Sequence, residues 1–571
     1  MRRDWVKQFV RHFDDLLIWG IFLLGVGLAV IKPMGLGMTL VPGNLVDNRF
    51  NNYVLEHFFR WLSGLDKDFW NATFFYPFPL TIAFSDNLLG SAFIYGLLRG
   101  AGLDMSTAFQ GWYIFGFCLN YVASTFALSR LKLKPLGIAV GAFFFTFGLP
   151  ILAQEIHAQL LYRFGVPLTC YFLVSFYEEP QLRKLLAVIF WLAWQFYLTI
   201  YVGIFLVLLL VALAFWLPFS FPAISFWDRL AAWPKRLRQA WLQASVLERI
   251  LFMAAGLVMF ACLAALLWPY FRVTRLYGFS REWKSVSSML PQPQSYIVNE
   301  KAILWNSLAG PFVNPLLSNL NAVSLVQEHQ LFPGIAVVIT LLAGLVALRS
   351  ADNHRVAWLC FWAALTLVVL TLRVNDFSLY QYISHIPGIN GIRAVTRIEL
   401  VVMWPISIFL ASTVDALRTK SSGEFPWPVV AAYFLAGLMV VESTLFFSHT
   451  AFPKAVAEAR LDGLRQQLPD SVPYQPILFV GPDKTSPPRY VDIDVMLVAQ
   501  ERGWSTMNGY SGNFPPGYRS TNRCNQLPIA LEYYMMFAGV SNQVSLYQGL
   551  MERVVLINFQ NCNPGWWKKM P

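Results

Sequence analysis

Charge is scarce in this sequence. Asp, Glu, Lys and Arg make up 13% of its 571 residues, against about 25% in ordinary globular domains, which argues against a soluble globular chain. Cysteine is scarce as well. There are six, none at a metal-ligand spacing, so zinc modules and disulfide-dense scaffolds are excluded. The signatures of common soluble catalysts are missing: there is no GxSxG, no HExxH and no P-loop. No internal repeat of fixed period stands out. Without a basic helix or zinc spacing, the net charge of +11 does not read as nucleic-acid binding.

What is present is apolar. The chain is 56% hydrophobic and 16% aromatic, with a mean hydropathy of +0.50. Apolar runs at roughly 16–34, 106–128, 135–153, 163–178, 185–200, 201–217, 250–270, 333–348, 357–374, 397–415 and 427–447 predict eleven membrane spans. Each is near the length that crosses a bilayer. Trp, Tyr and Phe at the ends of these runs fit interfacial belts.

Lys and Arg set the orientation. On this count Arg130, Lys132 and Lys134 share one side with Arg183 and Lys184, with Arg229, Lys235, Arg236, Arg238 and Arg249, with Arg349 and Arg355, and with Arg418 and Lys420. The basic N-terminus joins them, and no small-residue cleavage site follows the first apolar run. The expectation is an uncleaved signal-anchor, a cytoplasmic N-terminus and an extracytoplasmic C-terminal domain. Leu80–Ala101 is also apolar, but a full span there would invert every later loop. It reads as a re-entrant or interfacial helix; the alternative is a twelfth span, compensated by Leu185–Leu217 crossing as one helix.

The expected fold is therefore mainly α. A polytopic α-helical membrane domain covers 1–447, with external loops at 35–105 and 271–332. A small α/β domain covers 448–571, with an amphipathic helix at Pro453–Gln467 and strand-like runs at Gln475–Val480 and Val554–Ile557. Cys118, Cys170, Cys262 and Cys360 sit in apolar spans and read as packing residues. Cys524 and Cys562 are the only two in the polar C-terminal region, and an external location would make a disulfide between them the natural expectation.

The few ionisable residues cluster on the expected outer face. Val41–His57 carries Asp47, Arg49, Glu56 and His57 just after the first span. The short turn 154–162 holds Gln154, Glu155 and His157. Arg393 and Arg397 are four apart and would share a helix face if the span that follows begins early enough. Arg272, Arg275, Arg281 and Glu282 form a fourth set. Charges so close to hydrocarbon are costly unless they snorkel, pair or face water, so they suggest function. Each also has a plainer reading: a solvated loop or turn for the acids, headgroup binding for the arginines, an ordinary ion pair for the fourth set. NGYSGNFPPGY at 508–518 is most simply a turn-rich loop.

Taken together, VDNRFNNYVLEH, FFYPFPLTIAFSD (74–86), QEIHAQLLYRFGVPL (154–168), EHQLFPG (328–334), IPGINGIRAVTR (386–397) and NGYSG (508–512) are scattered over nearly the whole chain. In that arrangement the sequence resembles the GT-C superfamily of integral-membrane glycosyltransferases. It is most similar to the bacterial branch of YfhO-type and lipid-A-modifying transferases. The resemblance implies a GT-C-like membrane domain in a bacterial plasma membrane. It also implies a polyprenyl-phosphate-linked sugar donor and transfer to a glycan, lipid or protein acceptor on the extracytoplasmic side. By the same match Asp47, an acid of the first external loop, would serve as base, and Glu155 or His157 would line the same cavity. Arg393 and Arg397, with Arg49 third, would hold the departing phosphate, a task suited to guanidinium groups. Many members carry paired acids that bind a divalent metal. VDNRF offers one Asp beside Asn48 and Arg49, so a site without metal or other cofactor is expected.

A transporter or flippase of a lipid-linked substrate would instead place ionisable residues at mid-span, where this chain has almost none. A non-catalytic membrane scaffold whose C-terminal domain binds a partner is a third reading.

Overall fold

The computed structural model describes residues 16–221, 225–321, 326–349, 354–419, 427–481, 486–518 and 543–558. The basic N-terminal residues before Leu16, and Cys524 and Cys562, lie outside the described residues.

Among the described residues, seven helices are long and apolar enough to cross a membrane: Leu16–Met34, Pro135–Ala153, Ala158–Glu178, Ile200–Ser220, Val246–Tyr277, Val395–Thr419 and Trp427–Thr444. The other four expected spans fall on Met105–Arg130, Leu182–Leu198, Ile335–Ala347 and Arg355–Thr371. Helix is what an apolar run must form in lipid, where every backbone N–H and C=O has to be satisfied within the segment. The chain is a mainly α, multi-pass membrane protein with a small α/β unit at its C-terminal end.

Two local features bear on the first loop. The apolar stretch after Leu80 forms a helix only over Leu89–Gly100, 12 residues, or about 18 Å, too short for a bilayer core of about 30 Å. The stretch Leu185–Leu217 is not one helix, because Thr199 is extended (φ −164°, ψ 129°) and separates Leu182–Leu198 from Ile200–Ser220.

Arg163 is fully buried among the apolar helices. Arg163 donates to Phe145 O and Leu400 O, both at 2.8 Å. Phe145 lies in the last turn of Pro135–Phe147, whose carbonyls have no intrahelical donor, so the guanidinium acts as a cap. Of the four apolar-span cysteines, Cys170 and Cys360 are buried and Cys118 is half-buried, but Cys262 is exposed. The packing role expected for Cys262 is not what the structure shows: Val246–Tyr277 turns most of its surface outward.

The C-terminal unit is built on β3 (Ile477–Val480), every residue of which is buried. β4 (Ser505–Thr506) and β5 (Val554–Ile557) pair with it in parallel on either side, and the helix Pro488–Arg502 connects β3 to β4. A second sheet ties this unit to the first loop: β1 (Leu40–Pro42) pairs antiparallel with β2 (Ala451–Pro453), just past the last membrane helix.

Between the membrane helices and this unit runs the helix Asp47–Leu62, buried from Asn48 to Phe58. So polar a helix can be buried only because its side chains find partners. Asn51 Nδ2 donates to Gln159 Oε1 at 2.9 Å. Glu56 takes a bidentate pair from Arg99, at 2.7 and 3.0 Å. His57 bridges Asp66 and Phe69 O.

Candidate functional site

The turn before Asp47 is set by Gly43 (φ +86°), where a Cβ would overlap the Asn48 side chain. Asn48 Nδ2 holds that turn by donating to Pro42 O at 2.8 Å and to Glu155 O at 3.0 Å. Asp47 thus opens its helix in a fixed position, with its backbone N–H donating to Asn44 Oδ1 at 2.7 Å. Its carboxylate is half-buried and accepts from the Tyr510 hydroxyl at 2.7 Å.

Tyr510 comes from the NGYSG loop of the C-terminal unit, and packing fixes its position. Gly509 lies so close to Phe75 that a Cβ would overlap the ring. Phe50 and Phe514 meet the Tyr510 ring edge-on, with centroids at 5.8 and 6.3 Å. Backbone bonds pin the loop to 73–84: Thr506 N to Thr73 O at 2.8 Å, Tyr76 N to Thr506 O at 2.9 Å, and Asn513 N to Phe84 O at 3.0 Å. Burial, reinforced by the Asp47 carboxylate, raises the Tyr510 phenol above its ordinary pKa, so it remains a donor. Arg489 and Arg393 act on it with the opposite sign.

Arginines gather around this pair. The half-buried Arg393 side chain has no hydrogen-bond or ion-pair partner among the described residues; its backbone N–H donates to Tyr201 OH at 3.3 Å. Arg281 donates from Nη2 to Gly512 O at 3.0 Å. Burial lowers its pKa, Tyr201 opposes this, and Arg393 lowers it further, which marks the two guanidiniums as neighbours.

Arg397 is differently placed. Its guanidinium is clasped by Glu328, Nη2 to Oε1 at 2.6 Å and Nε to Oε2 at 3.1 Å, and lies over the Tyr201 ring at 5.1 Å. His157 Nε2 meets the same Glu328 Oε1 at 3.2 Å, while His157 Nδ1 is buried without a partner. Burial works against ionising Glu328, but Arg397 and His157 outweigh it and hold the carboxyl well below the usual range.

Behind Arg397 lies Asp86. It is buried and accepts from Ile200 N at 2.7 Å. Burial pushes its carboxyl up to about 6, against the pull of the Ile200 N–H and of Arg397.

Two of the residues singled out from the sequence are engaged elsewhere. Arg49 Nη1 pairs with Asp494 Oδ1 at 2.6 Å, and Arg460 pairs with Asp494 Oδ2 at 2.7 Å. This triad, with Arg49 and Asp494 buried and Arg460 half-buried, joins the first-loop helix to the helices Lys454–Arg465 and Pro488–Arg502. Glu155 accepts from Lys301 Nζ, from Thr450 N and from His449 Nδ1, the last at 3.1 Å. It gathers the second large loop and the entry to β2.

The expected set therefore divides into five: Asp47 with Tyr510, Arg49 with Asp494, Glu155 with Lys301 and His449, His157 with Glu328 and Arg397, and Arg393, whose side chain has no hydrogen-bond or ion-pair partner among the described residues. Tyr510, Asp86 and Glu328 were not singled out individually from the sequence, although NGYSG, FFYPFPLTIAFSD and EHQLFPG contain them; Arg281 stood in the fourth ionisable set, without an assigned role. Among the described residues no group of three or more His, Cys, Asp or Glu side chains could hold a metal ion.

No family model matches the chain, and no curated protein matches it in sequence. Solved structures are similar over most of its length. Archaeal oligosaccharyltransferase AglB from Archaeoglobus fulgidus, in complex with an inhibitory peptide and a dolichol-phosphate, is 13% identical, with a TM-score of 0.48; the match covers 88% of this chain and 65% of that one. The Archaeoglobus fulgidus oligosaccharyltransferase in the apo form gives 11% and 0.49, with the same coverage. The mycobacterial arabinofuranosyltransferase AftD gives 13% and 0.41, covering 83% of this chain and 29% of that one. This chain thus spans about two thirds or less of each. All three TM-scores lie below 0.5, and the functional reading rests on the site.

Proposed function

We propose that the protein is a membrane glycosyltransferase of the GT-C type. In this reading it transfers a sugar from a polyprenyl-phosphate-linked donor to an acceptor hydroxyl, with Asp47 as base. The observation that carries the reading is Asp47 held by Tyr510 at 2.7 Å, in reach of the field of Arg393, whose side chain has no partner among the described residues. The scattered stretches in which the sequence resembles GT-C enzymes support it as well.

Such a transfer breaks the bond between the anomeric carbon and the phosphate oxygen and forms one to the acceptor oxygen. The acceptor proton passes to the Asp47 carboxylate, the role of a positioned general base. Charge then accumulates on the departing phosphate, which preorganised cations stabilise. Arg393 fits that task, with Arg281 beside it. Arg397, already clasped by Glu328, shapes the field from behind. Arg49 and Glu155 serve in this scheme to hold the loops that present Asp47.

The test is Asp47→Asn in membranes supplied with a polyprenyl-phosphate-sugar donor. Transfer is expected to disappear while expression and membrane insertion are unchanged. Near-normal transfer would remove Asp47 from the mechanism.

A further inference from the structure

The helices Ile200–Ser220 and Val246–Tyr277 each have one end at the candidate site. Ile200 N meets Asp86, and the hydroxyls of Tyr270 and Tyr277 donate to Ser85 O and Pro79 O at 2.9 and 3.1 Å. The segment at their other ends, 225–245, therefore lies on the opposite face of the membrane domain. With Arg249, it carries five basic residues against two acidic ones, Asp228 and Glu248.

Its main element is the helix Ala232–Gln243. One side is docked: Trp233 Nε1 donates to Ala214 O at 2.8 Å, and Arg236 lies 3.9 Å over the Tyr177 ring. The other side is open. Leu237, Trp241 and Leu242 are exposed, as is Trp227 in the short helix before it. Arg238, exposed and one turn before Trp241, has no hydrogen-bond or ion-pair partner among the described residues. Lys235, also exposed, meets only Asp228, at 2.7 Å. A soluble partner does not call for this mixture. Exposed Trp and Leu beside Lys and Arg, on a helix held where two spans leave the membrane, match a helix lying in the interface of an anionic leaflet.

We infer that the 225–249 arm binds anionic phospholipid headgroups of the leaflet opposite the candidate site. Leu237 and Trp241 dip into the acyl boundary, and Arg238 and Lys235 reach the lipid phosphates.

The experiment is native mass spectrometry of the full-length protein in detergent, with phosphatidylglycerol and phosphatidylcholine added in equal amounts. Each basic residue near an anionic surface strengthens binding about fivefold, so the wild type is expected to retain phosphatidylglycerol at least about fivefold over phosphatidylcholine. The double variant Lys235→Glu, Arg238→Glu is expected to lose that preference, and high salt to weaken it in the wild type. Lys235→Gln with Arg238→Gln, neutral at the same exposed positions, guards against misfolding: it should elute as wild type and lose most of the preference. Equal retention of the two lipids by the wild type would overturn the inference. So would a preference that survives in both double variants, or displacement of the lipid by an equal concentration of inorganic phosphate.

Discussion

The Tyr510 hydroxyl donates to Asp47 Oδ1 at 2.7 Å across 463 residues of sequence. That bond joins the first residue of the first-loop helix to a loop of the C-terminal unit, so the candidate base is completed only when both parts have folded together. A hydrogen bond to a carboxylate stabilises it, and the phenol sets the direction of its free lone pairs.

Tyr510→Phe keeps the ring packing against Phe50 and Phe514 and removes only that bond. A hydrogen bond to a charged group contributes about 1.5–3 kcal/mol. Kcat for sugar transfer is expected to fall about tenfold to a hundredfold, with donor KM little changed. Steady-state kinetics in nanodiscs checks this; a KM effect alone would assign Tyr510 to donor binding.

Arg393 and Arg397 should separate experimentally. Arg393→Ala removes a guanidinium with no partner among the described residues, so apparent donor affinity is expected to weaken by tenfold or more while Tm stays near wild type. Arg397→Ala leaves Glu328 buried without its bidentate partner, and breaking a buried pair costs about 3–5 kcal/mol. A clear drop in Tm is expected for that variant. Thermal unfolding with donor titration distinguishes the two.

Asp494→Asn should act on stability before catalysis. It leaves Arg49 and Arg460 without the carboxylate they share, a loss on the order of 3 kcal/mol. Limited proteolysis is expected to cut the C-terminal unit faster in this variant. Donor KM, measured on the intact fraction, should be close to wild type; a large KM increase would return Arg49 to the phosphate site.

Asp86 predicts a pH dependence. Its pKa is raised from 3.8 to about 6, so the folded chain binds this proton more tightly than the unfolded chain. The stabilisation is present in full below about pH 4 and is lost as pH rises through 6, a change on the order of 3 kcal/mol. Asp86→Asn keeps the site neutral, and its Tm is expected to stay flat across that window while wild-type Tm falls. Donor KM should move with it in the wild type, rising as ionised Asp86 offsets Arg397. Matching pH profiles in the two proteins would mean that Asp86 does not titrate there.

Much of the fold was legible because hydrocarbon imposes its rule locally. A run such as Ile200–Ser220 must be helical wherever it sits, and each expected span falls on a helix. β3 and β5 were visible as short apolar runs; β3 is buried on both faces, whereas β5 buries Val555 and Ile557 and exposes Leu556. The break at Thr199 falls at the boundary read between 185–200 and 201–217, but its cause was not legible. No Gly or Pro marks it, and its extended backbone accompanies the Asp86 carboxylate, which takes up the Ile200 N–H. Nor did position reveal what Cys262 faces, since lipid and protein interior both accept an apolar side chain.

The site was legible only in outline. Asp47 and Arg393 stood out as charges near hydrocarbon, but the same argument also selected Arg49, Glu155 and Arg397, which the structure engages in ion pairs. Tyr510 could not be chosen over the other tyrosines, because what distinguishes it is its neighbour.

The sequence by itself determined the class of molecule and the positions of its membrane helices, because the bilayer acts on length and apolarity, which are local properties. Only the tertiary structure decided what each charge does. Arg49 finds Asp494 across 445 residues and Arg397 finds Glu328 across 69. The partner of an ionisable group depends on which chain segments approach it, and no window of sequence around the group contains them.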